Sequence, residues 1–201
     1  MSNSQNARAD HLAIATRVPQ GAKVIDVGCG NGDLLALLKA QRCVDARGLE
    51  LSPEAAGLAL ARGLSIIQGD ADSDLEVFPD NGFDVAVLSK AIQQMRRPAF
   101  VLQELARIAP EIIVSFRNFG LWTRRFSLFT TGRMPGHKDW HDETALHPST
   151  ARDMIDLTEA LGLQMVAIAP MRDGRVGAFR SSGLSRLNWG ADEVILHLRR
   201  G

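Results

Sequence analysis

Three glycines spaced two apart, Gly28, Gly30 and Gly32, follow the run Val24-Ile25-Asp26-Val27 and precede Leu34, Leu35, Leu37 and Leu38. A β-branched run, a glycine turn and an apolar helical pattern make a ligand cradle. Glycine lets the backbone take a left-handed φ or approach a ligand closely. A helix N-terminus offers unpaired N–H groups and a partial positive charge. The dinucleotide fingerprint places a third glycine at position 33, but Asp33 stands there. An acid beside a pyrophosphate repels it, so NAD and FAD fit poorly. The cradle suits a ligand whose near end is a zwitterion, with Asp26 helping to hold an ammonium and the loop N–H groups meeting polar atoms.

Further groups stand at the ends of later apolar runs. Glu50 lies 18 residues after Gly32, where an acid can accept from ribose hydroxyls. Leu51 beside it can lie against an adenine face. Asp70 can accept from an adenine amino group and the Ala71 N–H can serve a ring nitrogen. Ser89 faces the same crevice. The candidate cofactor-binding set is therefore Asp26, Gly28, Cys29, Gly30, Gly32, Glu50, Leu51, Asp70, Ala71 and Ser89. Strand-end acids and glycine turns are common, and Asp70 can simply cap the next turn, so the ordered set carries more than any member. Cys29 is either a nucleophile, since a thiolate is favoured near a helix N-terminus, or a small residue the loop tolerates. Cys43 reads as core.

The elements that must position these groups alternate. Strands are expected at Lys23–Val27, Ala46–Leu51, Ser65–Gln68, Phe83–Leu88, Glu111–Phe116, Gln164–Ala169 and Glu193–Leu198. Helices are expected at Ala9–Val18, after Asp33, at Pro53–Ala61 behind the cap Ser52, at Pro98–Ile108, around Phe119–Phe129, and from Ser149 or Thr150 to Leu161. Pro170 to Asp192, with four glycines, reads as loop. Strands alternating with helices imply an α/β fold, a mostly parallel sheet covered on both faces, with ligands at the strand C-terminal ends. At 201 residues one domain is expected, with residues 1–21 a helical extension and 117–148 a lid or partner insertion. Lys+Arg and Asp+Glu are 23 each, which argues against a general nucleic-acid binder. Two cysteines suggest neither a disulfide framework nor a four-cysteine metal site. No run is long enough to cross a membrane, and the polar N-terminus lacks a signal-peptide core, so a cytoplasmic protein is expected.

The motifs Asp26-Val27-Gly28-Cys29-Gly30-Asn31-Gly32, Gly48-Leu49-Glu50-Leu51-Ser52, Gly69-Asp70-Ala71 and Phe83-Asp84 resemble those of class I S-adenosylmethionine-dependent methyltransferases. The resemblance implies a Rossmann-like, seven-stranded sheet of order 3-2-1-4-5-7-6 with the seventh strand antiparallel, and S-adenosylmethionine or S-adenosylhomocysteine as ligand. Pro79-Asp80-Asn81-Gly82, Arg96-Arg97-Pro98, Ile113-Val114-Ser115-Phe116, Asn118-Phe119-Gly120, Trp122 and Gly132-Arg133-Met134-Pro135 look like the MetW family of methionine biosynthesis proteins. That family usually reads Phe-Pro-Asn-Phe-Gly-His-Trp, where this chain has Arg117 and Leu121 in place of Pro and His. Its Trp-Tyr-Asp-Thr-Pro-Asn-Ile-His stretch stands here as Trp140 to His147. The resemblance implies a partner, homoserine O-acyltransferase, which such proteins bind or activate.

An active small-molecule methyltransferase is the alternative, and RNA methylation through the basic stretch Arg117, Arg124, Arg125, Arg133 and Lys138 a weaker one. Neither finds a general base after the fourth strand, where Gln93 and Gln94 stand; His147 is the best remote candidate. His137, His141 and His147 with Asp139, Asp142 and Glu143 read as a solvated loop rather than a metal site, since His-Glu-x-x-His is absent. Phe119, Trp122, Phe126 and Phe129 share one helical face. Core packing is the plain reading of it, and covering the crevice or docking a partner the alternatives.

Overall fold

The computed structural model describes residues 8–133 and 147–201. Eight strands form one sheet: β1 (Lys23–Val27), β2 (Asp45–Glu50), β3 (Ser65–Gln68), β4 (Val85–Ser89), β5 (Glu111–Arg117), β6 (Leu163–Arg172), β7 (Arg175–Val176) and β8 (Glu193–Arg200). Among the described residues, seven α-helices flank it: α1 (Ala9–Arg17), α2 (Asp33–Arg42), α3 (Pro53–Ala61), α4 (Pro98–Ile108), α5 (Trp122–Thr131), α6 (Ala151–Ala160) and α7 (Leu184–Gly190). The strand order is β3-β2-β1-β4-β5-β8-β6-β7. β1 to β5 pair in parallel, and β8 lies antiparallel between β5 and β6. The expected seven-stranded order is present, with the two-residue β7 added at the edge.

Successive strand residues face opposite sides, and β4 shows this directly. Val85 and Val87 enter the apolar layer with α1 and α2, while Ala86 and Leu88 enter the layer with α4, α6 and α7. Both faces are covered, which is why β4 reads as an unbroken apolar run. The helices start where their caps dictate. The Ser52 hydroxyl accepts from the Ala55 N–H at 3.3 Å, with Pro53 following. Of the two caps expected for α6, Thr150 is the one used: its hydroxyl accepts from Asp153 N–H, and the Asp153 carboxylate accepts from Thr150 N–H at 2.8 Å.

Two expectations are corrected here. The segment from Pro170 to Asp192 is not loop: β6 runs on to Arg172, then β7 and α7 follow. Pro170 does not end β6 because its missing N–H falls on the outer edge. Ile168, two residues earlier, donates its N–H on that side to the Arg180 carbonyl, and a strand tolerates proline at such a position. Cys43 is not core: it is exposed, at the left-handed C-terminal cap of α2. Among the described residues, no helix is long and apolar enough to cross a membrane.

Candidate functional site

The cradle sits at the C-terminal end of β1. Gly28, Gly30 and Gly32 have φ of 71°, 55° and 79°, so the turn could not be made this way with side chains at low cost. The Gly28 N–H donates to the Leu49 carbonyl at 2.8 Å, which fixes the loop to the end of β2. Gly48 makes room below it, since a Cβ there would stand 2.5 Å from the Cys29 sulfur.

Asp26 lies beneath the loop, 1% exposed. Its Oδ1 accepts no hydrogen bond among the described residues. Burial, reinforced by the nearby Glu50 charge and opposed by Arg8, pushes its carboxyl up to about 8. A buried carboxylate without a partner is expensive, and a ligand cation at this point would supply one. Cys29 is buried beside it, and burial with the Asp26 and Glu50 charges pushes its thiol up to about 12. That disfavours the thiolate a nucleophile needs, and its burial in the turn accords with the small loop residue.

Glu50 reaches back across the loop. Its Oε2 accepts from Gly30 N–H at 2.7 Å and its Oε1 from Ser52 N–H at 2.9 Å. Each oxygen keeps a second lone pair, so the carboxylate braces the loop and still faces the crevice. Leu51 is 64% exposed and presents a bare apolar surface next to it. Asp70 has both oxygens engaged, one by the Asp72 N–H at 2.9 Å and the other by Arg96 at 2.5 Å. Ala71 is buried in the same turn. Ser89 ends β4, its hydroxyl 3.3 Å from that of Ser115.

Asp26, Gly28, Cys29, Gly30 and Ser89 come together around one cavity of about 130 Å³. Gly32, Glu50, Leu51, Asp70 and Ala71 lie outside its lining, the last four along the strand ends toward β3. The rest of the wall is unexpected: Arg8, the residue capping α1, and His11 within it line the cavity with Asn31, Asp33 and Leu34. Asp10, between them, is 1% exposed. It pairs with Arg8 and lies 3.4 Å from Lys90, which also pairs with Glu193 at 2.7 Å. Asp10, His11, Ile14 and Ala15 are the buried residues of α1, so polar groups occupy the helix's inward face.

The acceptor side after β4 is occupied by the chain itself. The Gln93 side chain donates to the Arg117 carbonyl at 2.9 Å and the Ser149 hydroxyl at 3.1 Å, and accepts from Arg117 N–H. The His147 N–H donates to the Gln93 carbonyl at 3.0 Å. His137, Lys138, Asp139, His141, Asp142 and Glu143 lie outside the described residues. Beyond β5, Asn118 is fully buried. It donates to the Asn188 and Ala191 carbonyls and accepts from the Gly120 and Ala151 N–H groups. The aromatic face of α5 is not core, which corrects the plain reading. Trp122, Phe126 and Phe129 are 50%, 61% and 87% exposed, while Arg124 lies over Phe119 and Arg125 over Trp189 at 5.2 and 4.5 Å.

Known proteins resemble the chain in both fold and sequence. An S-adenosylmethionine-dependent methyltransferase of Thermotoga maritima superposes with a TM-score of 0.73 at 18% identity, covering 96% of this chain and 88% of that one. The demethylmenaquinone methyltransferase of Bacillus licheniformis is 26% identical over 182 residues, 78% of this chain and 77% of the enzyme. The bifunctional methionine biosynthesis protein MetXA/MetW of Rhodopirellula baltica is 29% identical over 167 residues. That match takes in 77% of this chain but only 27% of the larger protein. The family described as methionine biosynthesis protein MetW matches residues 8–197. With a methyltransferase-like α/β sheet and a family match over nearly its whole described length, this chain belongs to the MetW family of methionine biosynthesis proteins.

Proposed function

We propose that the protein binds S-adenosylmethionine or S-adenosylhomocysteine at the ends of β1, β2, β3 and β4 and acts as a partner of homoserine O-acyltransferase. The observation that supports the ligand most strongly is Asp26, a buried carboxylate with one oxygen unpartnered beneath a glycine loop. An α-ammonium would satisfy it, the Asn31 N–H and the N–H groups opening α2 would meet polar atoms, since the Gly28, Cys29, Gly30 and Gly32 N–H groups already donate within the chain, and Glu50 would take the ribose hydroxyls with its remaining lone pairs. Leu51 would lie against the adenine. Asp70 would serve the adenine amino group only through its second lone pairs, because Arg96 and Asp72 already hold it.

The partner is supported by the bifunctional MetXA/MetW relative, in which the matching stretch is 27% of a longer chain, and by the uncovered aromatic face of α5. The acceptor side of the crevice, filled by Gln93 and by Lys90 in its ion pairs, favours ligand binding over methyl transfer. Calorimetric titration with S-adenosylhomocysteine tests the first half, and copurification with the acyltransferase of the same cell, with and without S-adenosylmethionine, tests the second. Binding with no association, together with transfer of a labelled methyl group to a small molecule, would move the protein to the methyltransferases proper. Absence of any binding would remove the cofactor.

A further inference from the structure

The enclosed part of the crevice is small. Its volume, about 130 Å³, falls below the roughly 300 Å³ at which pockets for drug-sized ligands begin. It fits a fragment the size of an amino acid, not a nucleoside. Its wall carries one group for each charge of a zwitterion. Asp26 offers the unpartnered carboxylate oxygen. Arg8 stands opposite in sign, its guanidinium half exposed. Two of its N–H groups, on Nε and Nη2, serve Asp10, and Nη1 makes no hydrogen bond among the described residues. A guanidinium has five donors in a fixed fork, so three remain for a second carboxylate. His11, one helical turn along, is kept neutral by burial and the Arg8 charge and adds a hydrogen-bonding edge. The nucleoside end, by contrast, is open and partly spoken for at Leu51 and Asp70.

We propose that Arg8, His11, Asp26 and the Gly28–Asn31 loop form a self-sufficient site for an α-amino acid, with Arg8 on the carboxylate and Asp26 on the ammonium. The site takes a free amino acid with an uncharged side chain as well as the amino-acid end of the nucleoside ligand. This rests on the ligand reading above and adds to it: α1 supplies the carboxylate partner, and end-product amino acid and nucleoside ligand compete for one pocket.

Three probes separate the parts: S-adenosylhomocysteine carries both ends, 5′-methylthioadenosine lacks the amino acid, and L-methionine lacks the nucleoside. In titrations of the full chain, L-methionine at millimolar concentration should displace S-adenosylhomocysteine but not 5′-methylthioadenosine. Arg8→Gln should weaken L-methionine and S-adenosylhomocysteine at least tenfold and leave 5′-methylthioadenosine unchanged. Arg8→Lys keeps a charge against Asp10 but loses the fork; it should hold the wild-type melting temperature while still losing L-methionine. The proposal is overturned if S-adenosylhomocysteine binds and L-methionine does not compete, or if Arg8→Gln weakens all three ligands alike. Failure of all three to bind the wild type would overturn the ligand reading itself, a result distinct from either.

Discussion

At the scale of single residues, Asp26 decides most. Its carboxyl titrates near 8 when folded, against an ordinary 3.8. Between those values the folded chain holds one proton more than the unfolded chain, so stability falls as pH rises, by about 1.4 kcal/mol per pH unit. The loss is complete above the folded value. Asp26→Asn removes the charge and with it this slope. Urea unfolding between pH 5 and 8 should show the wild type weakening and the variant level, and parallel curves would refute the assignment. Ligand binding should run the other way. A ligand ammonium stabilises the ionised form, so wild-type affinity for S-adenosylhomocysteine should rise with pH up to about 8 and then flatten, with Glu50, Arg8 and Cys29 the neighbouring groups that set the curve. Glu50 gives a second handle. Glu50→Ala releases the Gly30 and Ser52 N–H groups together, and the loss of ligand affinity should be on the order of 1–3 kcal/mol, read by calorimetry.

At the scale of elements, the sheet was legible and its far edge was not. Alternating apolar runs placed β1 to β5 because each is buried on both faces and has one role. The stretch after Pro170 was misread because proline and four glycines look like punctuation, whereas here proline's missing N–H faces an edge and Gly183 is the left-handed residue from which α7 starts. The α5 aromatics were misread for another reason: a helical pattern says that a face is apolar, not that anything covers it. The cradle residues were found because glycine spacing reports backbone geometry directly. Arg8 and His11 were not legible because polar residues on a short helix read as solvent-facing, and only packing shows that Asp10 and His11 are buried. Packing also explains Asn118, which joins the end of β5 to α6 and α7 through four hydrogen bonds. Asn118→Ala would leave buried donors and acceptors unpaired, at roughly 1–3 kcal/mol for each group that water cannot reach. A drop in the urea midpoint with unchanged slope is the expected outcome, and a loss of unfolding free energy smaller than about 0.5 kcal/mol would show that the clamp is dispensable.

At the scale of the whole molecule, the crevice and the α5 face are joined through β5. Gln93, after β4, holds both the N–H and the carbonyl of Arg117, and Asn118 next along starts the turn into α5. A ligand that orders the β4 end therefore acts on the base of the helix that carries Trp122, Phe126 and Phe129. If the acyltransferase docks there, linkage makes the effect mutual. A tenfold change in partner affinity on ligand binding demands a tenfold change in ligand affinity on partner binding, about 1.4 kcal/mol each way. The aromatics separate this from a folding effect. They contribute little to the core, so Trp122→Ala and Phe126→Ala should leave the folding stability within about 1 kcal/mol of wild type. At an interface, buried aromatics of this kind dominate the energy, and each truncation should cost on the order of 2 kcal/mol of association, roughly thirtyfold in Kd. Copurification and titration against the acyltransferase read the second effect, and thermal unfolding the first. If both variants keep full affinity for the acyltransferase, the docking face lies elsewhere on the molecule. If they lose affinity only in proportion to lost stability, α5 is structural.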